Sequence, residues 1–175
     1  MVAGYVDGLY RWTAADWARF PAAVKVRIAC FASTNDGHVL DIEAGCSAPY
    51  QAPNWVRMRL AAGLPRPVLY CNRSNVGSVL GVIDAAGLHT AVAIWLADWT
   101  GVPHLASGTI ATQYASPSTG SGGHFDLSLV ADSWPGVDPP PPTPAPSPGP
   151  GDGAGIDWAG IWAAIVAFLR RVVGL

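Results

Sequence analysis

The runs of apolar residues at strand length constrain this chain most. Residues 91–99 are almost wholly apolar, and so are most of residues 24–32 and 67–71. Strands of this kind are buried on both faces, which is the habit of parallel sheets covered by helices. Seven such segments follow one another: 2–7, 24–32, 38–43, 67–71, 91–99, 108–114 and 124–130. Between them lie three helical patterns. Residues 13–20 open on a Thr-Ala-Ala-Asp cap, residues 54–62 close at Gly63, and residues 75–86 close at Gly87. After Trp99 the helical signal stops. Strands and helices alternate first, then strands are joined by loops. The expected fold is α/β, with parallel strands in a sheet or barrel.

Length limits the barrel. A regular eightfold β/α barrel needs about 200 residues, and the chain has 175 in all. From Val137 to Gly155 it is nearly all Pro, Gly, Ser, Ala, Thr and Asp, with four consecutive prolines at 139–142. Such a stretch reads as an extended spacer. The division is therefore a domain over 1–136, a linker over 137–155 and an apolar helix over 156–175. The domain reads as a reduced or irregular TIM-like barrel with fewer helices than strands.

Charge narrows the function. Only 13% of residues are charged and the net charge is −2. Nucleic-acid binders carry a basic stripe instead. The start, Met1-Val2-Ala3-Gly4-Tyr5, has no basic region ahead of an apolar run. The expectation is a product made in the cytoplasm without a signal peptide. Cys30, Cys46 and Cys71 lack metal-ligand spacing and are odd in number, so they read as idle thiols of a reducing compartment. The four histidines are scattered, and no metal or cofactor is implied.

In a chain this poor in charge, acids at strand ends stand out. Asp41 and Glu43 lie two apart, so they leave one face of a strand. Carboxyls side by side can split into an ionised and a protonated partner, which is the requirement for cleaving a glycosidic bond. Asp7, Asp98 and Asp126 also fall near strand ends. Trp95, Ala97 and Trp99 share one face of their strand, with Ile94 and Leu96 on the other. Tyr5 shares a face with Asp7, and Tyr70 with Asn72. Aromatic walls around an acidic floor suit a saccharide, although aromatic side chains also fill cores.

Six segments in order resemble glycoside hydrolase family 25, the lysozyme-like muramidases of bacteria and phages. They are Gly4-Tyr5-Val6-Asp7-Gly8, Leu40-Asp41-Ile42-Glu43, Val68-Leu69-Tyr70-Cys71-Asn72, Ile94-Trp95-Leu96-Ala97-Asp98-Trp99, Thr112-Gln113-Tyr114-Ala115-Ser116 and Phe125-Asp126-Leu127-Ser128. The chain is closer still to the abbreviated domains of this kind in actinobacteria and their phages. The resemblance implies that Glu43 protonates the leaving oxygen. Asp41 would stabilise positive charge at the anomeric carbon or orient the acetamido group. Asp7 and Asp126 would hold the other carboxyls and the sugar. Tyr5, Tyr70, Trp95, Trp99 and Tyr114 would line the substrate, peptidoglycan or a related polysaccharide. Asp98 matches no catalytic position. The interval from Asp7 to Asp41 is short for the family, so one strand-helix unit reads as shortened. The implied activity is that of an endolysin reaching the wall after release. The alternative is a wall-binding or structural module without catalysis.

In the last segment Trp158, Ile161, Trp162, Ile165, Leu169 and Val172 recur at helical spacing, and Arg170-Arg171 break the apolar run. The run is short for a membrane span. It reads as a helix for a membrane surface, or for self-association or packing on the domain. A further alternative makes it the active, membrane-disrupting part.

Overall fold

A computed structural model describes residues 1–138. The proposed linker from 139 onward and the 156–175 helix lie outside the described residues. The strands are β1 (Val2–Tyr5), β2 (Lys25–Ala29), β3 (Val39–Asp41), β4 (Val68–Asn72), β5 (Ala93–Ala97), β6 (Ala111–Ala115) and β7 (Leu127–Val130). The helices are α1 (Ala14–Ala18), α2 (Ala52–Ala61) and α3 (Val76–Ala85). Each of the ten elements expected within residues 1–136 is present, with bounds shifted by a few residues.

The strands lie in one sheet in chain order, β1 to β7. Every neighbouring pair is parallel except β6 and β7, which are antiparallel. The sheet is curled into a half-barrel with few helices. The expectation of an α/β fold with fewer helices than strands therefore holds. The strand order ends at β1 and β7, which sit at opposite edges of the sheet rather than paired. Beyond β1, Arg11 bridges to Tyr5 and Trp12 N–H donates to the Tyr5 carbonyl at 2.9 Å, covering part of that edge. Trp12 lies so close to Gly4 that a Cβ there would stand 2.5 Å from the indole, so only glycine fits.

Alternation along the strands builds two apolar layers. On the outer face Leu40, Leu69, Ile94 and Leu96 pack against Trp55 and Val56 of α2 and Val79 and Ile83 of α3. On the inner face Val26, Val39, Val68, Tyr70, Trp95 and Ala97 cluster with Trp134. The opposed faces expected for Ile94/Leu96 and Trp95/Ala97 are these two layers. Trp134 meets Trp95 edge-on with ring centroids 5.4 Å apart. Val137 packs on the same layer and Asp138 accepts the Trp134 backbone N–H at 2.7 Å, so the packed chain continues past residue 136.

Local chemistry explains the connections. Thr13 and Asp16 form a reciprocal capping box at the start of α1. Gly63 and Gly87 follow α2 and α3 in the left-handed region, with φ of 90° and 69°. The β2–β3 and β5–β6 crossovers carry no helix. The first is instead tied down by side chains. Trp55 Nε1 donates to the Thr34 carbonyl at 3.1 Å, Arg59 Nε to the Gly37 carbonyl at 3.0 Å, and Arg27 pairs with Asp36.

Candidate active site

The C-terminal ends of β1 to β6 and the start of β7 share one edge of the sheet, because β7 runs the opposite way. The acids collect along that edge. Asp41 is the last residue of β3. It is 3% exposed, its neighbours in the ladder being Tyr70 and, through it, Trp95. Ile42 continues the ladder, its N–H bonded to the Tyr70 carbonyl at 2.8 Å, while its side chain joins the outer layer. Glu43 then falls on the bend just beyond the strand, near enough to Asp41 to feel its charge. The expectation that both leave one face of a strand does not apply as stated, because β3 ends at Asp41 and Glu43 sits outside it.

Burial sets the electrostatics. Loss of solvation raises Asp41 above the ordinary carboxyl range, and a hydrogen bond from Tyr5 Oη to Asp41 Oδ2 at 2.7 Å works the other way. The second oxygen, Oδ1, is buried without a partner. Glu43 is also raised, first by burial and then by the negative charge of Asp41, with a smaller push from Asp126; the Asn72 amide opposes these. Glu43 Oε1 is buried and unpartnered as well. Asp126, at the exposed rim, is raised by partial desolvation. Burial and these acids hold the Tyr5 and Tyr70 hydroxyls well above the usual phenol range. Asp41, Glu43, Asp126, Tyr5 and Tyr70 therefore form one electrostatically connected group.

Asp7 is turned elsewhere. Its carboxylate accepts the Cys30 N–H at 2.6 Å, the Phe31 N–H at 3.3 Å and the Thr34 hydroxyl. β1 ends at Tyr5, so Asp7 lies two residues into the following loop and organises the β2–β3 crossover. The structure brings together three of the four expected acids, with Asp7 beside them as a loop anchor.

The expected aromatic residues separate likewise. Tyr5 holds Asp41. Tyr70 and Trp95 are each 7% exposed and pack edge-on, 5.1 Å between centroids, so they form the inner layer below the acids. Trp99 is 50% exposed at the rim and donates its indole N–H to Gln113 Oε1 at 2.6 Å. Tyr114 falls at a bulge in the β6–β7 ladder. Tyr10, Phe31 and Phe125, on loops at the same edge, and Tyr50, in the short 3-10 turn Pro49–Gln51, are also exposed. Their place at strand ends was the available signal, and loop aromatics are hard to assign before the strand directions are known.

Asp98 is held apart from this group. Arg73 and His104 both bind its Oδ2, His104 Nε2 at 2.9 Å. The Arg73 bond and then that of His104 hold Asp98 down to about 2, so it stays ionised. It fixes the loop after β5 and with it the base of Trp99.

Cys30 and Cys46 form a disulfide, which corrects the expectation of idle thiols. β2 and β3 are neighbours and end at the same edge, which places the two sulfurs in reach. The bridge joins the end of β2 to the turn carrying Glu43, where Cys46 N–H also donates to the Glu43 carbonyl at 3.0 Å. Ser47 completes the brace through its hydroxyl to the Cys30 carbonyl at 2.7 Å. Cys71 is buried and free, its thiol pushed up to about 12 by burial and the neighbouring acids. Among the described residues no group of three or more His, Cys, Asp or Glu is arranged to hold a metal. No helix among them is long and apolar enough to cross a membrane. Compared with known proteins, the chain matches no family model, no curated protein and no solved structure.

Proposed function

We propose that this domain is a peptidoglycan-cleaving glycosidase of muramidase type, acting on the β-1,4 bond between N-acetylmuramic acid and N-acetylglucosamine. The observation that carries the reading is the unequal treatment of two adjacent carboxyls. Burial raises Asp41, and the hydrogen bond it accepts from Tyr5 offsets part of that rise in favour of the ionised form. Glu43 is raised by burial and, beyond that, by the charge of Asp41, with the Asn72 amide opposing, which favours its protonated form over that of Asp41. Pairs whose environments push their proton affinities apart divide into acid and base. Glu43 is then the proton donor to the leaving oxygen, and Asp41 supports positive charge at the anomeric carbon or the acetamido nitrogen. Asp126 adds negative potential at the rim. Trp99 offers an exposed flat surface for a sugar ring. The half-barrel is read as a truncated form of a β/α barrel.

The disulfide is a feature of oxidising surroundings, which supports action outside the cytosol, as for a phage endolysin at the wall. Contact of segment 156–175 with a membrane surface, or its self-association, belongs to the same proposal.

The orientation of Asp7 favours a second reading, a wall-polysaccharide-binding module without turnover. Release of reducing ends from purified peptidoglycan separates the two. The first reading expects release by the wild type and at least a hundredfold less by Glu43→Gln. Equal release by both removes Glu43 as the acid. Sedimentation with the wall and no release by the wild type establishes the binding module.

A further inference from the structure

Gln113 sits on the inner side of β6, 6% exposed, opposite Ala97 in the ladder. Its side-chain oxygen accepts two hydrogen bonds, from Tyr70 Oη at 2.8 Å and from Trp99 Nε1 at 2.6 Å. An indole N–H can only donate. The amide therefore cannot be turned over. Its oxygen faces the two aromatic donors, and its NH2 group points away from them. That NH2 has no partner among the described residues, yet it is not sealed in the core as Asp41 Oδ1 and Glu43 Oε1 are.

Most neighbouring donors are already spent. The Tyr5 hydroxyl donates to Asp41 and the Tyr70 hydroxyl to Gln113 itself. Asn72 has its oxygen taken by the Ser74 hydroxyl at 2.6 Å and the Asn75 N–H at 3.1 Å, and its amide faces Glu43. The remaining polar groups, Asp41 and Asp126 above all, present acceptors. The Ser128 hydroxyl, opposite Gln113 in the ladder, accepts from Trp95 Nε1 at 3.1 Å and can turn its own hydrogen to a carboxylate. The Gln113 NH2 is thus an uncommitted group that can only donate, one hydrogen bond away from the Tyr70 hydroxyl that feels both acids.

We propose that Gln113 is a ligand-recognition residue whose N–H donates to a neutral carbonyl oxygen, that of an acetamido group on the bound saccharide. The inference rests on the saccharide reading of the cleft and adds its selectivity. A carboxylate ligand would be repelled by the nearby acids. A hydroxyl both donates and accepts, so it can turn to the carboxylates instead. A carbonyl can only accept, and the Gln113 NH2, which can only donate, is matched to it. An N-acetylated saccharide is therefore favoured over one bearing a hydroxyl at the same carbon.

The test uses the full chain and two uncharged probes, the tetramer of N-acetylglucosamine and cellotetraose, with binding followed by calorimetry. The wild type is expected to bind the acetylated tetramer at least about tenfold more tightly. Gln113→Glu keeps an acceptor for Tyr70 and Trp99 but has no N–H to give. It is expected to lose that preference and to melt below the wild type, because a further carboxyl joins the acids, while a cooperative melt above the assay temperature shows that it is folded. Gln113→Met removes the acceptor as well, and is expected to lose both the preference and stability. Unchanged preference in a folded Gln113→Glu protein overturns the inference. So does a wild type that binds both tetramers equally, a result that needs no variant. A wild type that binds neither tetramer nor cell wall and releases no reducing ends fails the saccharide reading, and this inference with it.

Discussion

Reducing the Cys30–Cys46 bridge should loosen the edge of the sheet that carries the acids. The bridge closes a segment with a sequence separation of 16. Chain-entropy arguments give about 3 kcal/mol for a loop of that size. For a domain of this length that corresponds to a fall in Tm of about 10 °C. The consequence is local as well as global. Asp7 is bonded to Cys30 N–H, Ser47 is bonded to the Cys30 carbonyl, and Cys46 follows Glu43 by one turn. Freed of the bridge, residues 43–48 should exchange their amide hydrogens faster while the β4 and β5 amides stay protected. The assay is thermal unfolding and hydrogen exchange of the wild type with and without a phosphine reductant. A Cys30→Ala/Cys46→Ala variant, with Cys71 retained, serves as the control that reductant should not affect. A wild-type Tm unmoved by complete reduction would refute the reasoning, as would acceleration spread evenly over the sheet.

Two further outcomes follow from the acids. Asp7→Ala strands the Cys30 and Phe31 N–H groups and should cost about 1–3 kcal/mol in urea unfolding, with Asp7→Asn in between; a neutral Asp7→Ala would remove its role as loop anchor. Asp41 has a folded-state proton affinity raised above that of the unfolded chain, so between the ordinary carboxyl range and the raised one the native state holds more protons. Stability then falls as pH rises through that window. Asp41→Asn, which still accepts from Tyr5, should therefore gain stability relative to wild type at pH 7 and lose that advantage near pH 3, as measured by unfolding at both values.

Much of the framework was legible because it depends on local pattern. Apolar alternation along 91–99 assigned Ile94 and Leu96 to one layer and Trp95 and Ala97 to the other. Thr13, Gly63 and Gly87 marked helix ends through their own chemistry. The rest required knowing which segments meet. The disulfide depends on β2 and β3 ending at the same edge, which a spacing of 16 does not reveal. Asp7 looked like a fourth site acid because its motif ends a strand, but β1 stops at Tyr5 and the loop amides of Cys30 and Phe31 claim the carboxylate. Tyr70 and Trp95 share the acids' side of the sheet yet lie in the layer beneath them, a matter of depth rather than pattern. Gln113 was visible as part of a segment, while its two aromatic donors come from β4 and from the loop after β5.

The central claim is that burial and the negative charge of Asp41 raise the proton affinity of Glu43. Titration of the carboxyl carbons by NMR, in wild type and in Asp41→Asn, tests it most directly. Glu43 should titrate above the ordinary glutamate range of about 4.3 and move back toward it when the neighbouring charge is removed. A Glu43 midpoint at or below that value, unchanged in Asp41→Asn, would contradict the account.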